Sequence, residues 1–186
     1  MKKGFTLVEL LISIALMTII GTVTVAMIST VLRSSKNTTL AGDIRQSGNY
    51  VTEQISDTVR YATDFKLGIG ANPLDTTDSS TYTRDCSTTI TSHYLALTTN
   101  NDEKVFYCDS TANAIDFREA TSASYSPLID TSTVSVTNCS FTCSQASAGA
   151  PPTISISFTA SHPGNFSENN VSMPFSTSTL MRNINN

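Results

Sequence analysis

The chain has 186 residues, of which 14% are charged, and a formal net charge of -4 at pH 7. That balance excludes a basic nucleic-acid surface or a polyacidic tail as its working part. The length suits one globular core with an appendage. Apolar residues are concentrated between Phe5 and Leu32, whereas Ser, Thr, Asn and Asp dominate the remainder. Two solvents are implied, lipid first and water after.

The chain opens with Lys2 and Lys3, followed by an apolar run interrupted by one carboxylate, Glu9. A short cationic start before an apolar run is common to export signals, but no small-x-small cleavage signature ends this one. Leu10 to Leu32 runs uncharged for 23 residues. As a helix it would measure about 35 Å, enough to cross a hydrocarbon core of about 30 Å, and a retained anchor is expected. A carboxylate at bilayer depth costs about 2.5 to 3.5 kcal/mol on insertion scales, so Glu9 needs a partner or a purpose. Arg33 and Lys36 balance Lys2 and Lys3, so flanking charge alone does not orient the helix.

Lys3-Gly4-Phe5-Thr6-Leu7-Val8-Glu9-Leu10 resembles the cleavage and methylation motif of type IV prepilins and type II secretion pseudopilins. The resemblance implies cleavage by prepilin peptidase between Gly4 and Phe5, N-methylation of Phe5 and a role for Glu9 in assembly. Loss of Lys2 and Lys3 would take the net charge from -4 to -6. Cleavage creates an amine on Phe5, and in a stack of staggered helices the amine of an incoming subunit can pair with a neighbour's Glu9. Removing an unpaired charge from lipid in this way is worth several kcal/mol.

Downstream, Leu40, Ile44, Val51, Ile55, Val59 and Ala62 recur at helical spacing, with polar residues elsewhere on the wheel. One helix is expected to continue to about Ala62, weakened at Gly21, Gly42 and Gly48. Many members of the resembled family carry a proline in the apolar half; this chain has none before Pro73. Lys66 to Arg84 reads as a loop. Alternating segments then occur at Tyr94 to Thr98, Val105 to Cys108, Ala114 to Phe117, Val134 to Val136, Ile154 to Phe158 and Val171 to Phe175. Asn100 to Asp102, Asp109 to Asn113 and His162 to Asn165 supply turns.

The expected fold is α+β, a long N-terminal helix packed on an antiparallel β-sheet. Its expected divisions are a leader (1-4), a transmembrane and filament-core helix (5-32), an amphipathic continuation (33-65), and a loop with the sheet domain (66-186). Tyr94 to Phe117, Pro127 to Phe141 and Phe175 to Asn183 also resemble minor pilins and pseudopilins of the PilW/PulJ kind, which implies a place at or near a filament tip.

Cys86, Cys108, Cys139 and Cys143 all follow the apolar segment. In an oxidising compartment they pair. Free buried thiols and a four-thiolate zinc site are the alternatives, the latter disfavoured because no C-x-x-C spacing is present. Local closure favours Cys86 with Cys108 and Cys139 with Cys143, although four cysteines allow three connectivities. Pairing also places the C-terminal domain outside the cytoplasm and the two lysines inside.

No catalytic constellation accompanies these features. His93 and His162 have no nucleophile beside them in a recognisable setting, and Gly68-x-Gly70 lacks the remainder of a phosphate loop. Asp75, Asp78 and Asp85, or Asn100, Asn101, Asp102 and Asp109, could gather around calcium, but neither stretch has the twelve-residue loop pattern. Asn37, Asn138, Asn165 and Asn170 begin glycosylation triplets. No enzyme activity, cofactor, metal or nucleic-acid partner is expected.

The expected function is a structural subunit of a type IV pilus or type II secretion-like filament. It would be anchored once in the cytoplasmic (inner) membrane with its N-terminus inside, then displayed in an extracytoplasmic filament or its tip. Its partners would be prepilin peptidase, other pilin or pseudopilin subunits, an inner-membrane assembly platform and, before assembly, lipid. The alternatives are an adhesin or DNA-uptake receptor on the same scaffold, with contacts carried by loops such as Lys66 to Arg84 and Thr142 to Pro152, and a membrane-anchored enzyme.

Overall fold

The computed structural model describes residues 6–69, 78–100, 102–119, 122, 124–147, 150–163 and 171–182. The chain divides into two units, Met1–Leu40 and Ala41–Asn186. Helix α1 (Leu7–Tyr61) contributes to both. In the first unit its hydroxyl side chains turn back on the helix. Ser13 Oγ donates to the Glu9 carbonyl at 2.8 Å, Thr24 Oγ1 to that of Ile20 at 2.8 Å and Thr30 Oγ1 to that of Ala26 at 2.9 Å. These hydroxyls are satisfied without water, as a helix in lipid requires.

In the second unit, Ile44, Val51, Ile55 and Val59 are almost wholly buried, as their spacing predicts. Gly48 lies on the same face and lets the helix approach the ring of Phe175 closely. The helix ends at Tyr61, before the strands β1 (Asp64–Gly68), β2 (Tyr82–Thr83), β3 (Ile90–Ser92), β4 (Tyr94–Thr99) and β5 (Asp102–Asp109). The others are β6 (Ala114–Glu119), β7 (Ser126–Pro127), β8 (Ser135–Ser144), β9 (Thr153–Ser161) and β10 (Ser172–Leu180). They form not one sheet but two, a six-stranded sheet ordered β2-β1-β4-β5-β6-β7 and a four-stranded sheet ordered β10-β9-β8-β3. All pairings are antiparallel. The α+β class stands, with the helix and the inner faces of both sheets sharing one core built on Leu67, Leu95, Phe106, Phe141, Ile156 and Phe158.

Two expectations on chain path need correction. The stretch from Lys66 to Arg84 is not a loop throughout, since β1 begins at Asp64 and β2 lies at Tyr82. Gly68, Gly70, Pro73 and a run of Asp, Ser and Thr give that stretch its irregular pattern, yet Gly68 lies at the end of β1. It pairs with Tyr82, and a Cβ there would come within 2.9 Å of the Tyr94 Cβ, so the neighbouring tyrosine covers the space a side chain would fill. The segment 70–77, with Asp75, lies outside the described residues.

The disulfide pairing also differs. Cys86 joins Cys143, and Cys108 joins Cys139. Cys139 and Cys143 both belong to β8, where four residues of extended chain separate them by about 13 Å, beyond the reach of a bridge. Instead Cys139 reaches β5 of the six-stranded sheet, while Cys143 reaches the segment before β3. A bulge in β8 makes this possible. Thr137 is opposite Thr159 and Ser140 opposite Ser157, so two residues of β8 face one of β9. Asn138 takes the extra place with φ 52°, a left-handed conformation that asparagine tolerates. Were the same residues paired in regular register with no bulge, Cys139, Phe141 and Cys143 would all point away from the core.

Candidate functional site

The candidate site is the N-terminal segment, whose described part begins at Thr6. Its hydroxyl accepts the Glu9 backbone N–H at 3.3 Å and its carbonyl accepts that of Leu10 at 3.3 Å, so Thr6 caps the helix. Thr6-x-x-Glu9 is the pattern of a capping box, a local signal contained within the wider motif. Glu9 therefore lies in the first helical turn, where the helix dipole favours a carboxylate. Gly4 and Phe5, the expected cleavage and methylation positions, lie outside the described residues.

From Leu7 to Leu32 the large apolar side chains have no core to enter. Even Val23, the least exposed of them, retains 49% of its surface. A soluble protein rarely leaves such a surface uncovered, and this helix is long and apolar enough to cross a membrane. A family model for the prokaryotic N-terminal methylation motif matches residues 1–25. That motif supports a type IV prepilin or pseudopilin. The comparisons with curated proteins and with solved structures return no match. The motif implies processing by prepilin peptidase and assembly with other pilins, and with the apolar helix it supports anchoring in a membrane.

The rest of the chain places the other candidate residues in structural settings. His93 Nδ1 lies 3.1 Å from the Cys139 carbonyl and His162 Nδ1 lies 3.0 Å from that of Thr133, both exposed. They tie loops to β8 and its approach. A cavity of about 300 Å³ adjoins His93 and the Cys108–Cys139 bridge, with Asp109, Asn113 and Asn138 on its wall. The acidic candidates are engaged locally: Asp78 Oδ1 accepts the Ser80 N–H, Asp85 Oδ1 that of Ser87, and Asp109 Oδ1 those of Thr111 and Ala112. Hydrogen bonds from Ser87 hold the Asp85 carboxyl below its usual range. Among the described residues, no three metal-ligating side chains converge; Asn101 lies outside them. Of the glycosylation triplets, Asn37 sits on α1 and Asn138 on the bulge, while Asn165 and Asn170 lie outside the described residues.

The outer face of the six-stranded sheet carries an aromatic cluster. Tyr94 stacks on Tyr107 with ring centroids 4.2 Å apart, and Tyr125 tilts against Tyr107 at 5.9 Å. Arg84 lies over Tyr82 and forks onto Asp64 at 2.7 to 3.1 Å. Lys66, also over Tyr82, pairs with Glu103 at 3.2 Å. Burial, and then the bond to Tyr107, raise the Tyr94 phenol well above its ordinary value. This cluster cements the sheet.

Proposed function

We propose that this protein is a prepilin and a structural subunit of a type IV pilus or type II secretion-like filament, cut after Gly4, N-methylated at Phe5 and assembled through α1. The observation that carries the reading is the exposed apolar helix with Glu9 as its sole ionisable side chain between Thr6 and Leu32. In lipid that carboxylate costs about 2.5 to 3.5 kcal/mol. Pairing it with the Phe5 amine of a neighbouring subunit removes the cost, so assembly and extraction from the bilayer are driven by one contact. Residues 1-4 are then the leader, 5-32 the membrane and filament-core segment, and 33 onward the part displayed outside the cytoplasm. The two disulfides fit an oxidising compartment there. An inner-membrane assembly platform and lipid are the further partners in this reading, and the PilW/PulJ likeness favours a minor subunit near the tip.

The test is the mass of the N-terminal peptide recovered from native membranes. Wild type is expected to begin at methylated Phe5, Gly4→Ala to keep Met1 or Lys2, and Glu9→Ala to be processed yet fail to enter filaments. An uncut wild-type N-terminus, or filaments that incorporate Glu9→Ala normally, would overturn the reading. A second reading, an adhesin on the same scaffold, is favoured by the outer face of the four-stranded sheet, where the outward paired positions of β8 and β9 are all serine or threonine.

A further inference from the structure

The four-stranded sheet turns two different faces outward and inward. Inward are Ile154, Ile156, Phe158 and Ala160 of β9, with Val136, Phe141 and Cys143 of β8. Outward, every position of β8 and β9 in the paired register is serine or threonine, and β3 and β10 extend the pattern. In one row across the strands stand Ser176, Ser157 and Ser140; in the next, Ser178, Ser155 and Thr142. Only Pro174 and Leu180 depart from it, and no charged residue occupies an outward position of these four strands. The outward side chains are exposed or half-buried.

An exposed sheet that needs only to stay solvated usually intersperses Lys and Glu, which also discourage edge pairing. This face omits them along its whole length. Neighbouring hydroxyls are already paired across strands, Ser155 with Ser178 at 2.7 Å and Ser140 with Ser157 at 3.2 Å. The array is therefore ordered before any ligand arrives, which lowers the cost of binding. Its spacing is about 4.8 Å across strands and about 6.7 Å between alternate residues along one.

We propose that this face binds an uncharged polysaccharide. A hydroxyl both donates and accepts, so the array can meet either kind of group on a hydroxyl-rich polymer without stranding a buried polar atom. An anionic polymer would find no cation here to hold it. A protein partner would find no central aromatic or arginine anchor of the kind that dominates protein interfaces. The asparagine bulge contributes directly, since it returns Ser140, Thr142 and Ser144 to the outer side after the extra residue. The binding face is independent of Glu9 and of the assembly contact.

The experiment uses the full-length protein in detergent micelles, incubated with cellulose powder and with chitin powder at about 0.15 M salt. Wild type is expected to be retained on at least one polymer, with retention unchanged when salt is raised, because charge plays no part. Ser155→Lys and Ser157→Lys, and separately the charge-free pair Ser155→Ala with Ser178→Ala, are expected to lower retention at least tenfold. Ser124→Lys, on the connection to β7, should leave it unchanged. Unaltered disulfide maps and tyrosine near-UV dichroism verify folding of each variant. No retention of wild type on either polymer, equal retention by the Ser155 and Ser157 variants, or variants that lose self-association while keeping polymer retention would each overturn the proposal. Filament entry by the same variants is expected to be normal, so failure here and failure of the assembly reading are separable.

Discussion

Replacing Gly48 by alanine sets two opposed effects against each other within one methyl group. Helix propensity alone favours the variant by about 1 kcal/mol. Yet the added Cβ would lie 2.3 Å from Phe175 Cζ and 2.4 Å from Cε1, far inside van der Waals contact. The ring has little room to yield, because it stacks on Phe158 with centroids 5.2 Å apart and planes 16° from parallel. Overpacking of this kind costs about 1 to 3 kcal/mol, so with the backbone relaxing in part, Gly48→Ala is expected to destabilise by about 1 kcal/mol net. Phe175→Ala costs about 2 to 3 kcal/mol by itself, at the low end for phenylalanine because the ring is half-buried. In that background the clash is gone, and Gly48→Ala should stabilise by about 1 kcal/mol. Urea unfolding of the four members of this cycle, followed by near-UV dichroism of the tyrosine cluster, gives the coupling. A stabilising Gly48→Ala in the wild-type background, or the same sign in both backgrounds, would refute the close-packing argument.

Replacing Cys108 and Cys139 together by serine opens a bridge that spans 31 residues, and loop entropy sets the loss at about 3.7 kcal/mol. The urea midpoint reads that loss, and a non-reducing peptide map should join Cys86 to Cys143 in the variant and wild type alike. Burial, with Asp109 behind it, raises the Asp116 carboxyl above its ordinary 3.8. The native state then holds this proton to higher pH than the unfolded chain, so the stability it contributes is complete below about pH 3.8 and is lost as pH climbs through the raised value. Asp116→Asn is accordingly expected to be more stable than wild type at pH 7 and equal to it at pH 3, and an unchanged midpoint at pH 7 would contradict this.

The elements legible in the sequence are those whose physics is local and repeated. Ile44, Val51, Ile55 and Val59 mark one helical face with nothing to interrupt it, and Ile154, Ile156 and Phe158 alternate as a half-buried strand must. The short strands escaped notice for the converse reason: Tyr82–Thr83 and Ser126–Pro127 contain no complete period, and their pairing is set by partners far along the chain. Gly68 read as a breaker because its covering residue, Tyr94, is distant in sequence. The disulfides were hidden more deeply, since the choice between Cys139 and Cys143 rests on the conformation of Asn138. The site shows the same division. The run from Lys3 to Leu10 is readable as a motif, and Thr6 as a cap could have been read from the spacing to Glu9. The uniform outer face of the four-stranded sheet became visible only when register aligned four separated segments.

The bulge in β8 has a bearing on how the protein matures after export. Its two cysteines stand four positions apart, and Cys86 and Cys108 must each choose between them as oxidation begins. An unzipped β8 offers little to distinguish the isomers, because exchanging Cys139 for Cys143 changes each loop by only four residues and loop closure depends weakly on length. Discrimination arises when β8 pairs with β9 and Asn138 enters its left-handed turn, setting Cys139 against Cys108 of β5 and Cys143 against Cys86 in the segment before β3. Bridges closed before that moment would trap mispaired chains needing thiol exchange to escape. Zipping of β8 onto β9 thus sets which cysteine faces which partner, and because the bulge holds one residue more than β9 does, deletion of Asn138 is expected to leave Cys139, Phe141 and Cys143 on the inner side and the connectivity unchanged.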